Sequence, residues 1–350
     1  MLNEAEHIEG FVEDVARQDF GGDVKLLVAD GGSTDGSREL LVQAARTHGV
    51  EVSLLHNDAG WVSHGLNACL DAAAGDLLVR LDCHARYPRD YLRRCATAAE
   101  ESGALVVGGI IVPLGRTTTE RAVACAMDTA FGGIGHYRVF SNGARPLSRV
   151  AGMFGLTRGP AGAGTGRLET DTLTFGAFRP EAFALVGRFD ESLRRSQDDE
   201  FNLRVRLAGG RVVLDPAIRV FYTPRSSLRA VFRQYFDYGY WKVAVMAKHR
   251  RAPSPRSLVP AVFVCSVGVL AVAGTSSSLA RRLLASELGL YAVAATLAAA
   301  RSVRRRNEPL GLVPAVATVF PAFHLGYGLG MLRGLARAAA NALLPGPRRF

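Results

Sequence analysis

Val79-Arg80-Leu81-Asp82-Cys83-His84-Ala85 closes an apolar, β-prone run that begins at Leu77. The run ends in a carboxylate and an imidazole two positions apart. Because side chains alternate along a strand, Asp82 and His84 are predicted to point together beyond its carboxyl end, where open α/β sheets bind ligands. One oxygen ligand and one imidazole predict a divalent-cation site that holds a diphosphate. The alternative is a solvated strand end in which the aspartate caps the next helix.

Helix-like segments separate this strand from similar strands on both sides. The predicted strands cover 24–29, 50–55, 77–81 and 105–112, and the predicted helices cover 37–48, 63–74 and 88–102. Strands that alternate with helices of this length are typical of βαβ units and predict a largely parallel sheet. The chain opens on an amphipathic helix from about residue 8, so we expect its first strand to be missing. Residues 117–174, which include the glycine-rich segment 159–166, predict a long mobile connection.

A second polar cluster, Asp-Gly-Gly-Ser-Thr-Asp-Gly-Ser at residues 30–37, follows the strand predicted at 24–29. Glycines let the backbone approach a ligand, and Asp30 could accept hydrogen bonds from a base or a ribose hydroxyl. A plain Asx turn uses the same residue types and is the alternative. Neither GxGxxG nor GxxxxGK[ST] occurs, so no dinucleotide-binding fingerprint or P-loop is supported.

A third cluster, Gln-Asp-Asp-Glu at residues 197–200, opens a predicted helix with three consecutive carboxylates. Carboxylates packed together raise the pKa of at least one of them, which suits that group to proton transfer. The alternative is structural, because acidic side chains stabilise a helix N-terminus.

The net charge of +10 lies at the end of the chain, where the last 100 residues carry twelve arginines and two glutamates. A nucleic-acid protein would carry this excess on its folded reader domain, so we expect no nucleic-acid partner. Three apolar runs, at 258–274, 283–300 and 310–332, are each near the ~20 residues that span a bilayer, with soluble core helices as the alternative. Arginines between the second and third runs predict a cytoplasmic loop and a cytoplasmic first 250 residues. The five cysteines show no CxxC spacing and are predicted to be reduced and mostly buried.

Together, these clusters make residues 1–245 resemble the family 2 glycosyltransferases, which have the GT-A fold. Residues 30–37 are close to the family's DGSTDG signature, and Asp82-Cys83-His84 takes the place of its DxD motif. Residues 197–200 resemble the ED motif that carries the general base. Within the family, the Asp-x-His pattern and Gln234-Tyr235-Phe236 before the apolar runs look similar to bacterial succinoglycan-type exopolysaccharide glucosyltransferases.

The resemblance implies an α/β fold with a Rossmann-like mixed sheet and an inverting hexosyl transfer in one step. It implies Asp198 as the catalytic base and Asp82 with His84 as ligands of Mn²⁺ or Mg²⁺. Because His84 replaces the second aspartate of DxD, we expect a preference for Mn²⁺. The residues implied for donor binding are Glu4, Asp30, Asp35, Asn67 and Asp82. Those implied for the acceptor or phosphate side are Asp199, Glu200, Arg233, Gln234 and Trp241.

The predicted organisation is a GT-A domain at 1–225, an amphipathic interfacial helix and linker at 226–257, two or three membrane helices at 258–332 and a basic tail at 333–350. The predicted donor is a UDP-sugar, and the predicted acceptor is a lipid-linked saccharide at the inner membrane. Two alternatives stay open: a polyprenyl-phosphate glycosyltransferase, and a catalytically inactive membrane scaffold with the same fold.

Overall fold

The computed structural model describes residues 1–132, 166–251 and 255–343, and most of the predicted connection at 117–174 lies outside them. The described part of that connection begins with a helix rather than a loop. In chain order the helices are α1 Ala5–Ala16, α2 Ser37–His48, α3 Val62–Ala72, α4 Tyr91–Ser102, α5 Thr118–Met127, α6 Pro180–Val186, α7 Gln197–Leu207, α8 Leu228–His249, α9 Pro255–Ala273, α10 Ser278–Arg305 and α11 Val313–Leu343. The strands are β1 Leu26–Asp30, β2 Val52–His56, β3 Leu78–Val79, β4 Ala85–Arg86, β5 Val106–Pro113, β6 Leu168–Glu169, β7 Gly176–Phe178 and β8 Val212–Tyr222.

The chain divides into two compact units. Among the described residues, the first unit contains 1–112 and 166–222, and the second contains the remainder. The α/β elements therefore form one unit, whereas α5 and the four helices α8 to α11 form the other.

The sheets of the first unit are mixed. Strands β1 and β2 pair in parallel, and a second sheet has the order β3-β7-β5-β8-β4, with β6 also beside β8. The pairs β3–β7, β5–β7, β4–β8 and β6–β8 are antiparallel. The predicted mixed sheet is confirmed, but the largely parallel sheet expected from the helix–strand rhythm is wrong for these strands. That rhythm assumes that successive strands are neighbours, whereas β3 pairs with a strand about 100 residues later.

Strand β3 is shorter than the predicted run at 77–81. It ends at Val79, and a turn follows in which the Ala85 amide donates to the Asp82 carbonyl at 3.1 Å. Asp82 and His84 therefore lie around a turn, and the prediction that strand alternation aligns them is wrong. The turn is held by Tyr87, whose hydroxyl accepts the Asp82 amide at 2.7 Å.

A cavity of about 880 Å³ runs along β1 and β3 and is lined mainly by apolar side chains of these strands and of α1, α3 and α4. Met1 also lines this cavity and forms hydrogen bonds with β1 and the residue after it. Its amino group donates to the Ala29 carbonyl at 2.8 Å, and its carbonyl accepts the Gly31 amide at 2.9 Å. The predicted additional strand before α1 stays a prediction.

The second unit is built on a close contact between α8 and α11. A Cβ added at Gly330 would lie 2.0 Å from the Phe236 carbonyl oxygen, and one at Gly326 would lie 2.6 Å from that of Phe232. Small residues spaced by four thus let the two helix backbones touch. Tyr235 stacks on Phe323 with ring centroids 4.0 Å apart. Part of the helix that was predicted to be interfacial is therefore covered by α11.

Among the described residues of this unit, two helices are long and apolar enough to cross a membrane by length and composition, namely Ser278–Arg305 and Leu310–Leu343. The third predicted run corresponds to the shorter apolar helix Ser257–Ala273. Helix α5 is tied to the ends of these helices by ion pairs of Arg121 with Glu308 and of Arg305 with Asp128.

Candidate active site

A buried arginine joins the two sequence motifs that were predicted to carry the chemistry. The Arg80 side chain is 7% exposed, and it pairs with Asp82 through Nε at 3.1 Å and Nη2 at 3.2 Å. Its Nη1 donates to Asp198 at the start of α7. The backbone holds this arginine in register, because its amide donates to the Gly176 carbonyl at 3.0 Å. The structure thus brings Asp82 and Asp198 together around one guanidinium.

The two carboxylates differ in their pKa. Burial raises the pKa of Asp198 to about 6, and the charges of Asp82 and Asp199 act in the same direction, while Arg80 opposes them. Burial would also raise the pKa of Asp82, but Arg80 and His84 lower it overall. Because a general base works best with a pKa near the operating pH, Asp198 has the properties of a base and Asp82 those of a permanently ionised ligand.

The three carboxylates of α7 have different partners. Asp198 meets Arg80, whereas Asp199 accepts a hydrogen bond from the Thr172 hydroxyl at 2.6 Å. Glu200 is fully buried and pairs with Arg204 at 2.9 Å. Arg204 also donates to the carbonyls of Val186 and Arg188. This carboxylate therefore neutralises a partly exposed structural arginine, and its predicted contact with an acceptor stays a prediction.

The Asp30–Ser37 loop is closed by its own aspartates. Asp30 is 1% exposed and accepts the Ser33 hydroxyl at 2.6 Å. Asp35 accepts the Ser37 hydroxyl at 2.6 Å and the Ala5 amide at 3.0 Å, and these hydrogen bonds lower its pKa. The hydrogen bonds of the predicted Asx turn are present, and the nucleoside contacts of both aspartates stay predictions.

Glu4 connects this loop to the Asp82–His84 turn. Its backbone amide donates to the Ser37 hydroxyl at 2.8 Å, and its carboxylate lies 3.2 Å from His84 Nδ1. Both Glu4 and His84 are partly exposed, at 20% and 34% of their side chains. The three sequence motifs therefore meet in one region of the first unit.

Asn67, which was predicted to contact the donor, is used inside the protein. It is 2% exposed, and its amide group donates to the Phe189 carbonyl and to Glu191, both at 2.9 Å. Its oxygen accepts the Phe189 amide at 3.0 Å. Both hydrogens and the oxygen of its side-chain amide are engaged inside the protein, and its predicted contact with the donor stays a prediction. Asn67 ties α3 to the loop that leads to α7.

Comparison with known proteins identifies the family of this chain. The family model "Glycosyl transferase family 2" matches residues 1–152. The succinoglycan biosynthesis protein ExoA of Rhizobium meliloti (strain 1021) is 30% identical over 337 residues, which are 95% of this chain and 92% of that protein. The chain belongs to glycosyltransferase family 2.

Two more distant proteins resemble this glycosyltransferase. A Methanococcus voltae enzyme, dolichyl N-acetyl-alpha-D-glucosaminyl phosphate 3-beta-D-2,3-diacetamido-2,3-dideoxy-beta-D-glucuronosyltransferase, is 23% identical over 254 residues, 71% of this chain and 72% of that protein. The structure of a Pyrobaculum calidifontis mannosyltransferase in complex with GDP-Man and Mn²⁺ has a TM-score of 0.58 and 19% identity, covering 91% of this chain and 84% of that one. The second likeness confirms the GT-A fold.

The residues of this glycosyltransferase fit a divalent ion only if the donor supplies most of its ligands. Among the described residues, no group of three or more His, Cys, Asp or Glu side chains is arranged to hold a metal. Asp82 and His84 provide one carboxylate and one imidazole, both partly exposed. Ions of the Mg²⁺ type are commonly held by one or two carboxylates together with substrate phosphates and water, which agrees with this sparse donor set.

The remaining acceptor-side candidates of the glycosyltransferase lie on α8 in the second unit. Gln234 donates to the Tyr238 hydroxyl at 2.9 Å, and Trp241 is buried at 8% exposure. Arg233 lies beside them in sequence. Their contacts with an acceptor stay predictions, as does that of Asp199.

The sequence analysis did not single out Arg80, although its position inside an apolar run could have identified it. A charged residue inside an apolar strand run is uncommon, because a buried charge has to be paired. The pairing of Arg80 with one aspartate two residues away could have been anticipated. Its second partner, Asp198, is 118 residues further along the chain and becomes visible only in the fold.

Proposed function

We propose that this chain is a membrane-anchored, metal-dependent, inverting hexosyltransferase. It moves a sugar from a UDP-sugar to a lipid-linked saccharide in the synthesis of an exopolysaccharide or another cell-surface glycan. The observation that carries the proposal is the Asp198 carboxylate, partly buried with a raised pKa and joined through Arg80 to Asp82.

In the proposed reaction, Asp198 takes the proton of an acceptor hydroxyl while the hydroxyl oxygen attacks the anomeric carbon of the donor. The bond from that carbon to the diphosphate breaks in the same step, so the configuration inverts and the nucleoside diphosphate leaves. If a divalent ion is bound with the donor, it would supply positive charge to the leaving diphosphate. Asp82 and His84 would hold that ion, and Arg80 keeps the base oriented.

The names of two relatives support the proposed acceptor and pathway. ExoA is named for succinoglycan biosynthesis, which supports exopolysaccharide synthesis. The name of the Methanococcus voltae enzyme describes a sugar attached to a dolichyl-linked N-acetylglucosaminyl phosphate, which supports a lipid-linked saccharide as acceptor. A lipid-linked acceptor and a membrane-anchored enzyme share one surface, which favours their encounter.

The second unit supports anchoring in a membrane. Large apolar side chains on α9 and α10 are strongly exposed, including Val272 at 74%, Leu290 at 72% and Leu297 at 66%. Exposed apolar surface of this extent is typical of membrane or protein contacts. The arginines at 301 and 304–306 favour a cytoplasmic position for the following loop, and we place the catalytic unit on the same side.

The test is a transfer assay with the full chain in membranes, using a panel of UDP- and GDP-sugars with Mn²⁺, Mg²⁺ or EDTA. Acceptors are a polyprenyl-diphosphate saccharide and the bare polyprenyl phosphate. We expect transfer from one UDP-sugar to the saccharide, lost with EDTA and in Asp198→Asn. Transfer to the bare phosphate would instead identify a polyprenyl-phosphate glycosyltransferase. A folded protein that turns over no donor would support the inactive scaffold.

A further inference from the structure

Arg80 occupies the position from which a cation would neutralise Asp82. Its Nε and Nη2 contact the two different carboxylate oxygens of Asp82, at 3.1 Å and 3.2 Å. The third contact of the same guanidinium goes to Asp198. One fixed positive charge is therefore shared between two carboxylates, one on the proposed donor side and one that is the proposed base.

A divalent ion at Asp82 would change how that charge is shared. Carboxylate oxygens that ligate a metal have less negative charge to offer a guanidinium, and two cations near one carboxylate repel each other. The arginine cannot lose its proton, and its side chain is 7% exposed, so it stays in place and keeps its second partner. Its interaction would shift from Asp82 towards Asp198.

We propose that Arg80 is a positioning residue that competes with the divalent ion for Asp82. Once the ion and donor are bound, Arg80 interacts mainly with Asp198. Binding of the donor with its ion would then orient the Asp198 carboxylate for the acceptor. This inference rests on the proposed function, because it takes Asp82 as the ligand and Asp198 as the base. Coupling of this kind is reciprocal, so changes at Asp198 must alter ion affinity at Asp82.

The competition predicts changes of opposite sign in ion affinity. Arg80→Met removes the competitor and leaves two carboxylates near the site, so Mn²⁺ should bind more tightly. Asp198→Asn removes one of the two negative charges that share Arg80, so the charge of Arg80 acts on Asp82 alone and Mn²⁺ should bind more weakly. Coupling energies between sites are typically worth fivefold or more, and we expect about a fivefold change in each direction. An arginine with a merely structural role would lower Mn²⁺ affinity when it is removed.

The experiment measures Mn²⁺ binding to the full chain in detergent by electron paramagnetic resonance at pH 8, with and without UDP. Arg80→Lys keeps the charge, and it should bind Mn²⁺ as the wild type does and recover part of the turnover lost in Arg80→Met. The matched control is Arg93→Met, which removes an exposed arginine 3.2 Å from Asp19 and should leave Mn²⁺ affinity unchanged. If Arg80→Met does not fold, Asp198→Asn still tests the proposal by itself.

Asp82→Asn separates this proposal from the proposed function. Mn²⁺ affinity that is lost in Asp82→Asn and shifts in opposite directions in the other two variants supports the competition, even if no sugar is transferred. Unchanged affinity in Asp82→Asn, or no Mn²⁺ binding with and without UDP, overturns the competition. Weaker binding in Arg80→Met, or unchanged binding in Asp198→Asn, also overturns it.

Discussion

The first turn of α7 and the contact between α8 and α11 are held together by opposite means. In α7, three consecutive carboxylates are placed in or near the interior, and each is matched by a different polar partner. Between α8 and α11, the glycines let the helix backbones approach each other so closely that even a methyl group has no room. The first region is held by ion pairs and hydrogen bonds of charged side chains, and the second by close packing of two helix backbones.

This difference has a consequence for function. A buried carboxylate with a raised pKa destabilises the folded protein when it is ionised, because burial disfavours the charged form. The same property suits Asp198 to proton transfer. The glycine contact has no such conflict, since the residues that bring α8 and α11 together take no part in the proposed chemistry. Mutations should therefore separate activity from stability in the first region but not in the second.

Asp198→Asn should have the largest effect, and it should fall on activity rather than on stability. Removing a general base typically lowers turnover by 10²–10⁴-fold, while the amide can still accept a hydrogen bond from Arg80. The melting temperature at pH 7.5 should be unchanged or higher. We would measure turnover in the transfer assay and thermal unfolding of the same preparation. A large loss of thermal stability would show that Asp198 is mainly structural.

Glu200→Gln, two residues away, should have the reverse effect. It removes the charge that neutralises partly exposed Arg204, and breaking an ion pair whose carboxylate is fully buried costs about 3 kcal/mol. We expect this loss in chemical or thermal unfolding. Glu39→Gln is the matched control, because Glu39 is an exposed acid in the first turn of α2. Equal stability of the two variants would contradict the structural role of Glu200.

The sequence identified motifs that the fold brings together, but it did not predict the direction of the strands, and the reason is physical. Asp30, Asp82 and Asp198 lie in short motifs whose chemistry is local, so their residue types were informative without the fold. Strand direction depends on which strands become neighbours, and β3 pairs with β7 through contacts that no local pattern reports. Asn67 and Glu200 show the limit for polar residues, because a buried structural group and a binding group look the same in a sequence.

Gly330→Ala should destabilise the second region by about 2 kcal/mol, because the new methyl would meet the Phe236 carbonyl oxygen at 2.0 Å and overpacking costs ~1–3 kcal/mol. Gly289→Ala on α10 is the matched control, since a Cβ there has nothing within 4 Å. In a helix the change from glycine to alanine is otherwise favourable by up to ~1 kcal/mol. The melting temperature in detergent should therefore fall in Gly330→Ala and stay the same or rise in Gly289→Ala. A stabilised Gly330→Ala variant would rule out the backbone contact.

The melting temperature and kcat/KM should change in opposite directions as the pH passes through the pKa of Asp198. This pKa is about 6 in the folded protein, above the ordinary value of 3.8, so the stability that the group contributes is fully present below pH 3.8 and is lost as the pH rises through about 6. The base is active only when ionised, so kcat/KM should fall about tenfold for each pH unit below 6.

The melting temperature of wild type relative to Asp198→Asn should decrease over the same interval in which kcat/KM increases. Both are measured on one preparation from pH 4.5 to 8, the melting temperature without added ion and kcat/KM with the ion added together with the donor, because kcat/KM reports the pKa of the free enzyme. If the two curves changed at different pH values, separate groups would control them. Ionisation of Asp198 would then not be what both activates and destabilises the enzyme.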